Sequence, residues 1–190
     1  MRVISGSCKG RILKSPRGKN TRPTSDKVKG AFFNILSDYV HKSGFLDLFA
    51  GTGSIGIEAL SRGAEKCVFV ENDPQSVTII KANLNLTGMH EQGEILACNV
   101  NRGLKILAKK KESFDIVYLD PPYKCQEISV ILNFIYENQL IVNGGIVGIE
   151  RDSRFLNTLP ETNPFRLLQK KVYGNTELII LKRSDIFHPN

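Results

Sequence analysis

The chain has 190 residues, of which 41% are hydrophobic and 24% are charged, a balance typical of a soluble globular protein. Its length is sufficient for one domain with a sizeable core. No apolar run reaches membrane-spanning length, and the N-terminal MRVISGSCKG lacks the apolar region of a signal peptide. We therefore expect a cytoplasmic protein with no membrane partner.

Positive charge is concentrated at the start of the chain. The formal net charge is +7; residues 1–30 contribute +8 and the other 160 residues −1. A basic segment beside a near-neutral body is the electrostatic footprint of a polyanion partner, although a solvated charged surface has the same composition. Within this segment, residues 2–13 predict a β-hairpin around a Gly/Ser/Lys turn, and residues 15–23 predict a loop rich in Pro, Gly and Asn.

Residues 24–40 have apolar side chains at helical spacing, with Thr24 or Ser25 as the predicted N-cap. Strands and helices then alternate. The predicted strands are FLDLFA, KCVFVE, GEILAC, FDIVYLD and GIVGIE, and the predicted helices are SIGIEALSRG, PQSVTIIKANLNL, NRGLKILAKK and QEISVILNFIYENQ. Such alternation predicts a parallel sheet covered on both faces.

The chain continues with LLQKKVY, Gly174-Asn175 and TELIILK, which predicts an antiparallel hairpin. The predicted architecture is thus an α/β, doubly wound, mostly parallel sheet that ends in an antiparallel pair. We predict two parts, a basic extension over residues 1–23 and the main domain over residues 24–190.

A glycine-rich turn follows the first strand of the alternation. Gly51, Gly53 and Gly56 form a GxGxxG pattern between a predicted strand and a predicted helix, where glycines let the backbone turn sharply and approach a ligand. Both a dinucleotide and S-adenosylmethionine fit this context. Asp47, four residues before Gly51, favours S-adenosylmethionine, because a carboxylate attracts an ammonium group and repels a pyrophosphate.

Polar residues also end the next two strands. Glu71 ends the second strand, where a carboxylate can accept hydrogen bonds from both hydroxyls of a ribose. Asn99 follows the third strand and is placed either to bind an adenine edge or only to cap a turn.

The fourth strand of the alternation runs into Tyr118-Leu119-Asp120-Pro121-Pro122-Tyr123-Lys124. The two prolines end the strand and fix the backbone of the loop that follows. In open α/β sheets, ligands bind at this edge. Asp120 and Tyr123 therefore either end the strand and do nothing more, or hold a substrate.

Three stretches resemble the class I methyltransferases that modify exocyclic amino groups. They are DLFAGTGSIGIEALSRG, the tripeptide Glu-Asn-Asp after the second strand, and DPPY after the fourth strand. RPTSDKVKG near the N-terminus resembles the RsmD family more specifically, although that family usually has Glu where this chain has Gly30. The resemblance covers nearly the whole chain. It implies a Rossmann-like, seven-stranded class I fold and methyl transfer from S-adenosylmethionine to the N2 amino group of a guanine in small-subunit (16S) ribosomal RNA.

The resemblance also implies roles for individual residues. Cofactor-binding positions are Asp47, Phe49, Gly51, Thr52, Gly53, Glu71, Asn72 and Asn99, and positions at the target base are Asp120, Pro121, Pro122 and Tyr123. For RNA contacts we expect Lys9, Arg11, Arg22 and Lys124. The expected partner is ribosomal RNA, within an assembled or partly assembled small subunit.

Three other functions fit parts of the pattern. An adenine-N6 nucleic-acid methyltransferase uses similar chemistry, a non-catalytic assembly factor could keep the fold and bind RNA, and an NAD-dependent oxidoreductase could use the glycine turn. The intact set of motif residues argues against the assembly factor. Cysteines and histidines lack the spacing of a zinc site, so we expect no metal.

Overall fold

The computed structural model describes residues 1–16, 26–122, 128–154 and 164–184. Within these ranges it contains one seven-stranded sheet and six helices. The strands are β1 (Gly44–Leu48), β2 (Lys66–Glu71), β3 (Gly93–Ala97), β4 (Phe114–Leu119), β5 (Ile141–Asp152), β6 (Phe165–Tyr173) and β7 (Thr176–Arg183). The helices are α1 (Asp26–Ile35), α2 (Ser37–Val40), α3 (Ser54–Ser61), α4 (Pro74–Thr87), α5 (Val100–Lys110) and α6 (Ile128–Glu137).

The strand order is β3-β2-β1-β4-β5-β7-β6. The first five strands in this order are parallel, and β7 pairs antiparallel with both β5 and β6. This confirms the predicted doubly wound sheet with an antiparallel end. The last strand of the chain therefore lies inside the sheet, and β6 forms its edge.

Apolar residues of the strands alternate between two cores, one on each face of the sheet. One core packs α1, α3 and α4 against residues such as Phe69 and Tyr118. The other packs α5 and α6 against residues such as Val70 and Leu119. Because both faces are covered, the polar side chains that remain for chemistry are those at the ends of the strands.

The predicted helix over residues 24–40 is divided in two. α1 ends at Ile35 and α2 begins at Ser37, and Leu36 between them has φ −102° and ψ 14°. The expected caps Thr24 and Ser25 lie outside the described residues. In α1, Phe32 stacks edge-on against Tyr118 with ring centroids 4.8 Å apart, which fixes the helix to the centre of the sheet.

The predicted N-terminal hairpin is a short antiparallel pairing. Arg2 and Ile12 form a single bridge, flanked by backbone hydrogen bonds between Val3 and Arg11 (2.9 Å) and between Leu13 and Met1 (3.0 Å). The side chains of Val3 and Leu13 are buried in the core beneath α1 and α3. The described part of the basic extension is thus packed against the main domain.

A buried ion pair fastens this extension to α3. Lys29 and Glu58 are both fully buried, with Nζ and the carboxylate 3.7 Å apart. Glu58 also accepts hydrogen bonds from the backbone N–H groups of Ile4 (2.7 Å) and Ser5 (3.0 Å), and Arg62 donates to it at 2.7 Å. Burial lowers the pKa of Lys29, and the Glu58 carboxylate opposes that shift.

Within the described ranges, no helix has the length and apolar character that crossing a membrane requires.

Candidate active site

A cavity of about 620 Å³ lies at the carboxyl edge of the parallel strands. Residues at or just after the carboxyl ends of β1, β2, β3, β4 and β5 meet there, as expected for an open α/β sheet. Nine of the predicted site residues line it, namely Phe49, Gly51, Thr52, Glu71, Asn72, Asn99, Asp120, Pro121 and Pro122. The fold therefore brings together groups that lie up to 73 positions apart in the sequence.

The loop between β1 and α3 is held in a strained conformation at the cavity wall. Phe49 has φ +60° although it is not a glycine, and Gly51 has φ +56°. The space above Gly51 is open, whereas a Cβ on Gly56 would collide with Phe69. The first glycine thus leaves room for a ligand, and the third lets α3 pack closely on the sheet.

Glu71 holds this loop at the end of β2. Its Oε2 accepts a hydrogen bond from the Gly51 N–H at 2.7 Å, and its Oε1 accepts from the N–H groups of Asn72 and Asp73 at 2.8 Å. The carboxylate is thereby fixed in one orientation at the cavity wall. A fixed acceptor of this kind suits a ligand with paired hydroxyl groups.

Asn99 lines the cavity and also caps a helix. Its Oδ1 accepts a hydrogen bond from the Arg102 N–H at 2.9 Å at the start of α5. Asp73 plays the same part for α4, where its carboxylate accepts from Ser76 N–H at 2.7 Å and this bond lowers its pKa. The capping function expected as one alternative for Asn99 is thus present, and contact of Asn99 with an adenine edge stays a prediction.

Asp47 lies beneath the loop and does not line the cavity. Its side chain is 2% exposed, and its Oδ2 accepts a hydrogen bond from the Gly56 N–H at 3.0 Å. Burial raises the pKa of Asp47 to about 8, although the Gly56 bond opposes the shift. Gly53, likewise predicted at the cofactor, also lies below the cavity surface, close to Ile80. Direct contact of Asp47 with an ammonium group remains a prediction that this placement does not favour.

Replacing Asp47 by Asn separates a structural role from a ligand contact. Because the folded-state pKa is raised above the usual value of 3.8, the contribution of Asp47 to stability decreases as pH rises from about 4 to about 8. Asn does not titrate. We therefore expect the urea midpoint of Asp47→Asn to rise relative to the wild-type midpoint over that pH range, and the difference between the two midpoints to become constant above pH 8. S-adenosylmethionine affinity within threefold of wild type at pH 7 would support a role beneath the loop. A loss of tenfold or more would instead support the ammonium contact.

The segment after β4 forms the opposite wall. The Asp120 N–H donates to Leu48 O at 3.4 Å, so the loop leaves the sheet beside the end of β1. Pro121 is buried and Pro122 is exposed, and both line the cavity with Asp120. Tyr123 and Lys124 lie outside the described residues. The predicted stiff acidic loop is therefore present as far as Pro122.

The sequence reasoning missed the acidic residues at the end of β5. Glu150 and Asp152 line the cavity, and Leu119 pairs with Ile149, so Asp120 and Glu150 leave adjacent strands at the same edge. Glu150 is 8% exposed and accepts a hydrogen bond from the fully buried Tyr118 hydroxyl at 2.7 Å. Burial, reinforced by Glu150, raises the pKa of that hydroxyl, so it stays a donor. Glu150 follows the apolar run GIVGI, as Glu71 follows the apolar run of β2. The sequence pattern that identified Glu71 was therefore also present at Glu150.

The N-terminal extension contributes to the cavity through its two ends. Met1, Ser15 and Pro16 line it, and the Thr52 hydroxyl lies 3.5 Å from the Met1 sulfur. Buried Asn83 of α4 joins this extension to the glycine loop. It accepts from Lys14 N–H at 2.8 Å and donates to Lys14 O and Thr52 O at 3.1 and 3.0 Å. These residues carried no sequence motif.

The turn of the N-terminal hairpin contacts the C-terminal end of α4. Cys8 Sγ contacts Thr87 O at the last residue of α4, whereas Asp73 at the other end of that helix lines the cavity. Asn83, about one helical turn before Thr87, bonds to Thr52 at the cavity wall. Lys9 and Arg11 are exposed on the hairpin turn, and Arg22 lies outside the described residues. Neither Lys9 nor Arg11 is among the described residues that line the cavity.

Among the described residues, five acidic side chains and one basic side chain line the cavity, namely Glu71, Asp73, Asp120, Glu150, Asp152 and Arg151. The net negative charge of these side chains favours a ligand that carries positive charge near them. In the described parts of the chain, no group of three or more His, Cys, Asp or Glu side chains is arranged to hold a metal ion.

Known proteins share this sequence and fold. The family described as "Conserved hypothetical protein 95" matches residues 1–182. YlbH of Bacillus subtilis is 41% identical over 184 residues, which cover 96% of this chain and 99% of YlbH. "Ribosomal RNA small subunit methyltransferase D" of Haemophilus influenzae is 35% identical over 175 residues, which cover 92% of this chain and 89% of that protein.

Solved structures agree with this relationship. That of yhhF from Escherichia coli matches with a TM-score of 0.83 and 29% identity, covering 97% of this chain and 98% of yhhF. The RNA methyltransferase from Salinibacter ruber, solved in complex with S-adenosyl-L-homocysteine, matches with a TM-score of 0.67 at 16% identity. The match covers 89% of this chain and 98% of the Salinibacter ruber chain, so the two proteins share a fold.

Proposed function

The chain belongs to the RsmD-type methyltransferase family, and from this premise we propose that it methylates the N2 amino group of a guanine in small-subunit ribosomal RNA, with S-adenosylmethionine as the methyl donor. The observation that carries the proposal is the single cavity in which Glu71, the glycine loop and the Asp120-Pro121-Pro122 segment face one another. Such a cavity suits a nucleoside-bearing cofactor and an amino group at adjacent positions. Ribosomal RNA as substrate implies a cytoplasmic protein.

The charge of the cavity supports S-adenosylmethionine rather than a dinucleotide. When bound, this cofactor supplies a methyl group on a positively charged sulfur. The five carboxyl groups that line the cavity would attract that charge and repel a pyrophosphate. The open space above Gly51 and the fixed carboxylate of Glu71 suit the backbone-close binding of a nucleoside, with Glu71 accepting from the ribose hydroxyls.

The acceptor side of the cavity supports an amino group as the target. The lone pair of a guanine N2 nitrogen is delocalised into the ring, so the nitrogen must be oriented to react. We assign Asp120 and the Pro121 carbonyl as acceptors for its two N–H bonds. Because both prolines fix φ, this geometry exists before substrate arrives, which lowers the cost of reaching the transition state. After transfer, the positively charged nitrogen loses one proton to Asp120 or to water.

Methyl transfer onto 30S particles and onto free 16S rRNA, followed by nucleoside analysis, tests this function. We expect labelled N2-methylguanosine. N6-methyladenosine in its place would move the activity to the adenine-N6 class, and RNA binding without methyl transfer would indicate an assembly factor. Calorimetry with S-adenosylmethionine and with NAD separates the methyltransferase from an oxidoreductase, because only the expected donor should bind.

We further propose that residues 1–23 act as an RNA-binding extension of the catalytic domain formed by residues 24–190. Phosphate contacts hold and orient a large RNA without reading its sequence. Lys9 and Arg11 are exposed on a turn whose base is fixed by the Lys29–Glu58 pair.

Neutralising Lys9 and Arg11 together should weaken RNA binding and flatten its salt dependence. Each lost phosphate contact should reduce the slope of log affinity against log salt by roughly 0.7–0.9. The measurement is filter binding or fluorescence anisotropy from 50 to 300 mM salt, with cofactor affinity as the control, which should be unchanged. Wild-type affinity and slope in the double variant would show that this turn is a solvated surface.

A further inference from the structure

A basic and aromatic strip lies along the edge strand β6, on the face of the sheet that packs α1. We define this β6 strip by the exposed or half-exposed side chains Lys27, Tyr39, Arg166, Lys171, Tyr173 and Lys182. The Lys27 ammonium lies 5.5 Å from the ring centroid of Tyr173, and the Lys182 ammonium lies 5.8 Å from that of Tyr39. Both pairs join the helices α1 and α2 to the end of the sheet.

The pairing register places these side chains on one face. Arg166 pairs with Lys182, and Lys171 pairs with Leu178. Leu178 packs in the core beneath α1, and directly paired residues point to the same face of a sheet. The cations of β6 and β7 therefore surround a surface that continues onto α1 and α2.

The two faces of this sheet end differ in how their charges are balanced. On the α6 face, Glu177 accepts from Arg151 at 2.5 Å and from Lys170 at 2.6 Å, and these contacts lower its pKa despite burial. On the α1 face, no acid in the described ranges forms an ion pair with the four cations of the β6 strip. Arg166 and Lys182 even stand directly opposite, an arrangement that costs stability. An anionic partner would balance this charge.

The β6 strip begins at the rim of the cavity. Tyr173 pairs with Thr176, and Thr176 lines the cavity. From Tyr173 to Arg166 the strand extends seven residues, about 23 Å. A single-stranded nucleic acid that leaves the cavity over the β6–β7 turn would meet these cations within its first few nucleotides. Lys9, by contrast, is not among the described residues that line the cavity.

We propose that the β6 strip binds the RNA backbone immediately next to the target nucleotide, with Arg166, Lys171, Lys182 and Lys27 contacting phosphates and Tyr173 and Tyr39 offering faces to unstacked bases. This inference rests on the proposed function, since it names the surface that presents the RNA to that site. Alternating cations and aromatic rings are the usual means of holding single-stranded nucleic acid without sequence preference. Unstacked loop nucleotides are also the RNA elements from which a base is extruded most easily.

The test uses the double variant Arg166→Ser/Lys171→Ser in the full chain. Its matched control is Lys105→Ser/Lys109→Ser, which removes the same charge from exposed positions of α5. The probes are a mixed-sequence single-stranded RNA of 12 nucleotides and the 30S particle. We expect RNA affinity to fall at least tenfold at 100 mM salt and the salt slope to decrease by roughly 0.7 for each lost contact, while the control changes affinity less than threefold.

Two readouts separate binding from folding and from catalysis. Thermal stability of the double variant should equal or exceed that of wild type, because the variant loses the Arg166–Lys182 repulsion. With 30S particles, KM should rise while kcat at saturating substrate stays within twofold. Equal losses of RNA affinity in the variant and the control would overturn the proposal, since net charge alone would then explain binding.

A third outcome identifies a different partner. If the variant binds the 12-nucleotide RNA normally but methylates 30S particles poorly, the β6 strip contacts a ribosomal protein and the RNA proposal is wrong. If the proposed function itself is wrong, the experiments will give a result that differs from all of these outcomes. It would appear as the wrong methylated nucleoside or as no product with wild-type protein, whereas the salt slope of RNA binding is measured without methyl transfer.

Discussion

Replacing Asp120 by Ala should reduce methyl transfer at least a hundredfold while S-adenosylmethionine affinity stays within a few-fold of wild type. The proposed role of Asp120 is to accept an N–H bond of the target amino group, and loss of one such preorganised contact typically costs two to three orders of magnitude in rate. Glu71, across the cavity, is assigned to the cofactor. The measurement is single-turnover methyl transfer together with calorimetry of cofactor binding.

Two companion variants make this result specific. Asp120→Asn retains one acceptor oxygen and should recover part of the activity. Glu71→Ala removes the acceptor for three backbone N–H groups, one in the glycine loop and two just after β2, and should lose cofactor affinity first. The assignment of Asp120 is wrong if Asp120→Ala binds the cofactor poorly and regains activity at high cofactor concentration.

Replacing Glu58 by Ala should destabilise the protein by about 3–5 kcal/mol, because it leaves Lys29 buried without its counter-charge. The backbone N–H groups of Ile4 and Ser5 lose their acceptor in the same change. We expect a large fall in the urea midpoint and faster proteolysis within residues 1–16. Both are measured on the full-length chain.

The matched control is Glu94→Ala, which removes an exposed ion pair with Lys110. That change should cost less than about 1 kcal/mol. Because Glu58→Ala could prevent folding altogether, Glu58→Gln provides a milder test, and Lys29→Met combined with it should restore part of the lost stability. A Glu58→Ala protein as stable as the control would show that the buried pair does not fasten the N-terminal extension.

Much of the fold follows from local sequence pattern. Apolar runs of β1, β2, β4 and the second half of β5 are too short for helices and are separated by amphipathic segments, so a covered parallel sheet was predictable. The insertion of β7 between β5 and β6 was not, because the hairpin between β6 and β7 fixes their pairing but not which strand meets β5. The division of α1 from α2 at Leu36 was also missed, since apolar spacing continues across it.

The candidate site was predictable where a motif marks it. Glu71 and Asp120 stand out because acids end buried strands, and the same signal at Glu150 was available but overlooked. Met1 and Pro16 reach the site only through the docking of the N-terminal extension, to which buried Asn83 of α4 is hydrogen-bonded, and no local pattern indicates this docking. Asp47 was expected at the cofactor, yet packing of α3 on the sheet buries it and makes it an acceptor for the Gly56 N–H.

The position of β7 has a consequence for synthesis of the chain on the ribosome. β5 is the longest strand, with 12 residues, and its outer partner is the last strand in sequence. While residues up to 154 are already exposed and the five parallel strands can assemble, the outer edge of β5 from Ile146 to Asp152 has no neighbour until Thr176–Arg183 emerges. A long apolar edge of this kind invites pairing with other nascent chains. Slow translation between β5 and β7 should therefore favour aggregation, and faster completion of the sheet should favour native yield.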